Sequence, residues 1–395
     1  MILIVIINVR IGYQPKVLID KGDTIQYELV KELRGLKHAL DQDADLEMQD
    51  IYPEGFVFLN AVSALAWSSF VDSEKHRKYF EEGHAEVHKA WTKVTSPVGK
   101  APFSEGLSLP YGSFYNGWNT YVLALKLRLD STSMRKIEEI RLFQQQCDGI
   151  AKAIQERTYP PSYYGGVWPA DVVLCVAALS LHDELFEPRY KGVIDQWLRG
   201  VKRRLDVRGM IPHSLHPANG TVQENARGSS MALMLIFLQD IDLQFAQEQF
   251  VLFKANFLDS VFGLTGIREY PKGDPGPGDI DSGPVILGFG GAATIVGMQT
   301  LSIFDEHELS LRIRKAIEAM AFPLQNEHYK QYFFGKLPIA DAFIAWSHSR
   351  MQMPSRETSF VQFRLYSLFA FVILSISFWI LIRNKGDGSK TSQVV

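Results

Sequence analysis

The sequence predicts an all-α protein, an (α/α)6 toroid followed by a C-terminal transmembrane helix. Three observations predict it. From about residue 24 to 350, apolar residues recur at spacings of three and four, and strand-like alternation is scarce. The helical segments are of two kinds that alternate along the chain. Near the C-terminus, "LYSLFAFVILSISFWILI" (365–382) carries no charge.

Taken in order, residues 1–22 hold a short apolar segment, "MILIVIINV", too short to span a bilayer. It lacks the charged n-region of a signal peptide, and reads as the remnant of a truncated anchor or a first strand. The toroid domain occupies 23–350. Charged, amphipathic segments at 24–40, 73–94, 133–157, 188–205, 242–258 and 305–320 are expected to face water. Almost uncharged segments at 54–70, 114–129, 168–182, 224–238, 283–301 and 337–348 are apolar all round and must be buried. Each buried segment is followed by an amphipathic one, and the last, at 337–348, is left to pair with 24–40 and close the ring. An irregular helical solenoid is the alternative fold. Residues 361–383 are expected to cross a membrane once, the uncharged run 365–382 being bracketed by Arg364 and by "RNK" at 383–385, with a polar tail at 384–395. Flanking positive charge is balanced, so orientation stays open; an extracytoplasmic toroid is favoured if the N-terminal segment is a truncated anchor.

Composition narrows the function. The net charge is −3 with both signs interspersed, so no nucleic-acid partner is expected. The two cysteines, Cys147 and Cys175, suggest neither a disulfide framework nor a thiolate metal site. The text "GFGGAA" (288–293) matches a dinucleotide fingerprint but follows no strand. His84 and His88 have i,i+4 metal-ligand spacing, but on a charged helix with no third ligand in view they read as a solvated face. No cofactor and no metal are expected; oligomeric state is open.

The longer loops all lead into the N-terminal ends of buried segments, where they gather at one mouth. Helix N-termini there favour anions. Five residues are candidates for acid–base work. Asp279 and Asp281 lie in "GDPGPGDIDSGP" (273–284). Asp281 or Ser282 can cap the helix that follows, leaving the other acid to point into the cavity. Glu54 and Asp171 open two further helices, and His213 sits in a loop of the mouth-lining kind. Candidate substrate contacts are Tyr115, Asn116, Trp118, Tyr164 and Trp168, an aromatic lining suited to a sugar ring or an apolar alcohol. The pair Glu224 and Arg227 is a further candidate contact, as is Cys175, four residues from Asp171 on one helix face.

At these entrances "EGFVFLNAVSALAW", "VWPADVV", "IPHSLHPANGTVQENARGSS" and "YPKGDPGPGDIDSGPVILGF" resemble the linalool dehydratase/isomerase-like family over roughly 50–345. The resemblance implies an (α/α)6 barrel and cofactor-free dehydration and isomerisation of a small isoprenoid alcohol. It also implies two cysteines in the cavity, whereas here only Cys175 lies in a buried segment. Three functions follow as expectations: a membrane-anchored acid–base lyase or isomerase on a small apolar alcohol, a carbohydrate-active toroid of glycosidase or polysaccharide-lyase type, and a non-catalytic tethered binding protein. The lipid bilayer is a partner in each.

Overall fold

The computed structural model describes residues 1–12, 14, 17–20, 23–280, 282–351 and 359–388. In chain order its helices are α1 (Ile2–Arg10), α2 (Tyr27–Leu40), α3 (Ala44–Ile51), α4 (Gly55–Val71), α5 (Phe80–Val94), α6 (Pro97–Lys100), α7 (Gly112–Leu129) and α8 (Ile137–Glu156). They continue with α9 (Pro169–Leu185), α10 (Lys191–Lys202), α11 (Gly228–Ile241), α12 (Leu243–Phe257), α13 (Gly291–Ile303), α14 (His307–Met320), α15 (Pro338–Arg350) and α16 (Val361–Gly388). The strands make small antiparallel hairpins: β1 (Val17–Asp20) with β2 (Asp23–Gln26), β3 (Ser214–Leu215) with β4 (Val222–Glu224), β5 (Leu258–Val261) with β6 (Leu264–Ile267), β7 (Val285–Ile286) with β8 (Phe289–Gly290), and β9 (Leu324–Gln325) with β10 (Lys330–Gln331).

Two kinds of helix sort into two rings, for the reason the sequence predicts. A helix without a polar face has nowhere to go but inside, and α4 is buried along nearly its whole length. The inner helices pack α4 on α7, α7 on α9, α9 on α11, α11 on α13, α13 on α15, and α15 back on α4. The outer helices cover them: α5 on α4, α8 on α7 and α9, α10 on α9, α12 on α11, α14 on α13 and α2 on α15. The ring closes, so the fold is an (α/α)6 toroid and not an open solenoid. Closure joins the two ends of the domain through buried polar groups. The Tyr332 hydroxyl donates to Glu32 at 2.7 Å, His348 Nδ1 lies 2.7 Å from the same carboxylate, and Lys330 pairs with Glu318 at 2.6 Å.

Aromatic side chains fill the lumen. Trp118 on α7 reaches Phe237 on α11 at 6.3 Å between ring centroids, and Phe237 reaches Trp346 on α15 at 5.9 Å. These helices are not neighbours in the ring, so the contacts cross the barrel. Phe58 joins Trp118 at 5.1 Å and Phe343 at 5.4 Å, completing the plug. One end of the barrel, where inner helices begin, carries the long loops. At the other end lies a cavity of about 190 Å³ lined by Tyr121, Arg128, Glu184, Asp240, Trp346 and Arg350, among others.

Three expectations change. The segment 283–301 is not one helix, because residues 285–290 form the β7–β8 hairpin and α13 starts only at Gly291. Its two-residue turn, Leu287–Gly288, has φ of 53° and 86°, the mirror-image turn that matches strand twist. The segment 224–238 likewise starts its helix at Gly228, with Glu224 in β4. The N-terminal segment is helix α1, not a strand. It packs against α14 and α16, and the Ser375 hydroxyl lies 3.2 Å from Met1 Sδ.

Residues 361–383 form an apolar helix that contains an 18-residue stretch of mean hydropathy 2.4, none of it buried. It is long enough to cross a bilayer, and its exposure excludes a buried terminal core helix. Its base is seated on the toroid through Phe360, packed with Ile11 and Ala319, and through Arg312, which donates to the Ser359 carbonyl at 2.8 Å. Of the polar tail, 389–395 lies outside the described residues.

Candidate active site

The mouth is built from loops that bond to one another rather than from helix caps. Asp206, buried, holds the 206–226 loop by accepting from the backbone N–H of Arg208, Met210 and Ala226 at 2.8–2.9 Å. Leu215 N–H donates to the Val167 carbonyl at 3.0 Å, tying this loop to the one before α9. Gly228 N–H donates to the Glu269 carbonyl at 2.8 Å, and Glu269 N–H to the Gly288 carbonyl at 3.1 Å. Only glycine fits at 228, because a Cβ there would stand 1.9 Å from the Arg268 carbonyl oxygen. These bonds bring the starts of α11 and α13 together around one side chain, Arg227.

Arg227 is 4% exposed. Its Nε donates to Glu269 Oε1 at 2.8 Å and its Nη1 to Asp279 Oδ2 at 2.5 Å. Nη1 also lies 3.4 Å from His213 Nε2 and 3.8 Å from Glu224 Oε2. The guanidinium stands over the Tyr270 ring, 5.4 Å from its centroid. Among the described residues Nη2 meets no acceptor, and neither does Glu269 Oε2 meet a donor. Two buried polar atoms so placed need water or a ligand.

The two carboxylates beside this cation are shifted in opposite directions. Glu269 is fully buried, and burial pushes its carboxyl above the usual range although Arg227 and the Ser229 hydroxyl (2.7 Å) pull the other way. Asp279 is partly buried, which works against its charge. The Arg227 bond and the Ser282 N–H (2.9 Å) outweigh that and hold its carboxyl well below the usual range. Asp279 is therefore ionised and its side chain is 41% exposed, facing the opening. Burial, with Arg227 close by, pushes His213 down to about 4, so the ring is neutral at pH 7. Its Nδ1 lies 3.1 Å from the Ser230 hydroxyl.

Of the sequence candidates, the structure gathers His213, Glu224, Arg227 and Asp279 into one cluster. Asp281 lies outside the described residues. Neither Asp279 nor Ser282 caps α13, whose N-cap is Gly290. Asp279 instead makes a reciprocal turn with Ser282, whose hydroxyl accepts from the Asp279 N–H at 3.0 Å. Glu54, at the start of α4, accepts from the Tyr163 hydroxyl at 3.1 Å, and Asp171 lies in the first turn of α9. Tyr115 and Trp118 do not line the mouth: at 2% and 1% exposure they belong to the packed interior. Asn116 donates to the Pro110 and Gly112 carbonyls, which shapes the loop before α7. Tyr164 is exposed, and Trp168 packs edge-on to Tyr163 at 5.4 Å. Cys175 donates to the Ser113 carbonyl at 3.3 Å, and burial raises its thiol well above the ordinary value, so it offers no thiolate. Sequence reasoning missed Glu269 and Tyr270. Both lie in "IREYPKGD", a loop with no periodicity, where an acid has no signal that separates it from a solvated one.

Comparison with known proteins finds only distant structural likenesses. No family model and no curated protein matches the chain. Among solved structures, a GH76 alpha-mannanase from Bacteroides thetaiotaomicron is 11% identical, over 74% of this chain and 85% of that one, with a TM-score of 0.45. A family 105 glycoside hydrolase from C. acetobutylicum is 9% identical over 81% and 99%, with a TM-score of 0.49. A UGL variant described with dGlcA-Glc-Rha-Glc is 10% identical over 88% and 93%, with a TM-score of 0.42. At such identities the likeness is one of fold, and the toroid assignment stands on the closure of this chain's own helical ring.

Proposed function

We propose that the protein is a membrane-tethered, carbohydrate-active enzyme that cleaves a glycosidic bond at the long-loop mouth of the toroid. One observation carries the reading: two solvent-facing carboxylates, Asp279 and Glu224, converge on the same nitrogen of a buried arginine. At 2.5 Å and 3.8 Å from Nη1, their oxygens are no more than about 6 Å apart, a limit that admits the roughly 5 Å separation of a retaining carboxylate pair and excludes the wider separation of an inverting one. Asp279, held ionised, serves as nucleophile; Glu224 supplies the proton to the leaving oxygen and then takes one from the water that releases the glycosyl group. Glu269 and Arg227 position the pair, and the exposed ring of Tyr164 offers a stacking surface for a sugar. The reading is favoured over a dehydratase of a small apolar alcohol because the rings of Tyr115 and Trp118, which such a substrate needs as pocket walls, are spent on the core. The helix over 361–383 tethers the enzyme to a lipid bilayer.

The test is a screen of the detergent-purified full chain against oligosaccharides and terpenoid alcohols, read by mass spectrometry. Glycan shortening that disappears in Asp279→Asn and in Glu224→Gln supports the proposal. Dehydration of a terpenoid alcohol without glycan cleavage overturns it in favour of the isomerase reading.

A further inference from the structure

The i,i+4 histidines of α5 meet a third residue that sequence spacing does not reveal. Asp130 caps the end of α7, 42 residues beyond His88, and the packing of α5 on α7 brings it under both rings. His84 Nε2 lies 2.7 Å from Asp130 Oδ1 and His88 Nε2 lies 3.2 Å from the same oxygen. All three donor atoms lie within 4.8 Å of one another, and the two imidazoles are 4.3 Å apart between centroids. The carboxylate is fixed from behind. Lys126 donates to its other oxygen at 3.2 Å, and the Lys126 charge is itself met by Glu139. The His84 ring is oriented by stacking on Phe80 at 5.7 Å. Asp130 is 4% exposed while the His84 and His88 side chains are 19% and 32% exposed, so the donors face outward from an anchored base.

We propose that His84, His88 and Asp130 form a binding site for a divalent transition-metal ion of the zinc class. Two imidazole nitrogens and one carboxylate are a donor set for zinc and its neighbours, and a poor one for magnesium or calcium, which select oxygen. At about 2.0–2.1 Å per bond, tetrahedral donors stand about 3.3 Å apart, so the 2.7 Å and 3.2 Å spacings to Asp130 are close to fitting and the two imidazole nitrogens, within 4.8 Å of each other, need close by at most about 1.5 Å, shared between two partly exposed rings. Lys126 and Phe80 are the outer partners that orient the ligands. Three protein ligands leave one position open to solvent. The ion would pin the middle of α5 to the end of α7, on the flank of the toroid and apart from the Arg227 cluster.

The experiment is a calorimetric titration of ZnCl2 into the detergent-purified full chain after chelator stripping, with MgCl2 as a control. The expected result is one equivalent of zinc bound at roughly 10 µM or tighter. His84→Ala and His88→Ala each weaken that affinity at least tenfold while leaving the circular dichroism and the melting temperature in EDTA unchanged. Wild-type protein that binds no zinc at 100 µM, or a His88→Ala variant that binds like wild type, overturns the proposal. Should the variants unfold in EDTA, the wild-type spectrum with CoCl2 decides: visible ligand-field bands of nitrogen and oxygen ligation support the site, and their absence at 1 mM overturns it.

Discussion

His213 makes the mouth a sensor of acid, and the effect can be sized. Its pKa falls from the ordinary 6.5 to about 4, chiefly because the ring is buried at 8% exposure and secondly because Arg227 stands beside it. A histidine depressed in this way favours the fold while neutral. Its contribution is complete above about 6.5, and is lost as pH falls from 6.5 toward 4. Across the full window the linkage is worth about 3 kcal/mol, of which about 2.5 kcal/mol is gone by pH 4.5. At about 2.1 cal/mol/K of unfolding entropy per residue, that loss lowers the melting temperature of a domain this size by roughly 4 °C. Two other buried groups are shifted as well: Glu269, raised by burial, opposes the trend, and His348, lowered by burial, adds to it. The comparison with His213→Gln removes them. Gln keeps a hydrogen bond to Ser230, so the variant should match wild type within about 1 kcal/mol at pH 7 and lose several degrees less between pH 7 and pH 4.5. Melting scans at both pH values check it. Equal losses in the two proteins would show that His213 is not held neutral by the fold.

Other perturbations separate positioning from stability. Asp279→Asn should abolish turnover while changing stability by less than about 1 kcal/mol, because the 41%-exposed side chain is screened by water; parallel assays of product and melting temperature read both. Arg227→Ala strands the fully buried Glu269, which then takes up a proton, and is expected to destabilise by about 3 kcal/mol in denaturant titration. Gly288→Ala, at φ 86° in the β7–β8 turn, should cost about 1–2 kcal/mol and displace the loop that carries Asp279. Deleting 361–395 should move the protein from the detergent-extracted membrane fraction into the soluble fraction; retention with the membrane would mean that another surface, such as the exposed apolar face of α1, holds it there.

The toroid was legible because burial leaves a compositional mark. A helix such as α9, apolar on every side from Val172 to Leu181, can be stable only inside, and an amphipathic partner after each such helix implies a second ring. The same logic fails at 283–290. There "GPVILGFG" is apolar without a period, and a buried helix and a hairpin read alike. The signal that decides it is Gly288 after Leu287, a turn pair embedded in an apolar run. The aromatics mislead for a related reason. Tyr115 and Trp118 stand at a helix entrance in sequence, but one and two turns into α7 the entrance is already the lumen.

By itself, the sequence determined which helices are inside, which are outside, that 361–383 has no place in the core, and that acids collect before inner helices. Those features follow from hydrophobic burial, which acts on composition and local period. Only the tertiary structure decided that Arg227 gathers Glu269, Asp279, Glu224 and His213, and that Asp130 lies beneath His84 and His88. Such contacts join residues tens of positions apart, and their geometry is set by helix packing and loop-to-loop hydrogen bonds. Desolvation also depends on that packing: it raises the Glu269 carboxyl and leaves Asp279 charged beside the same guanidinium.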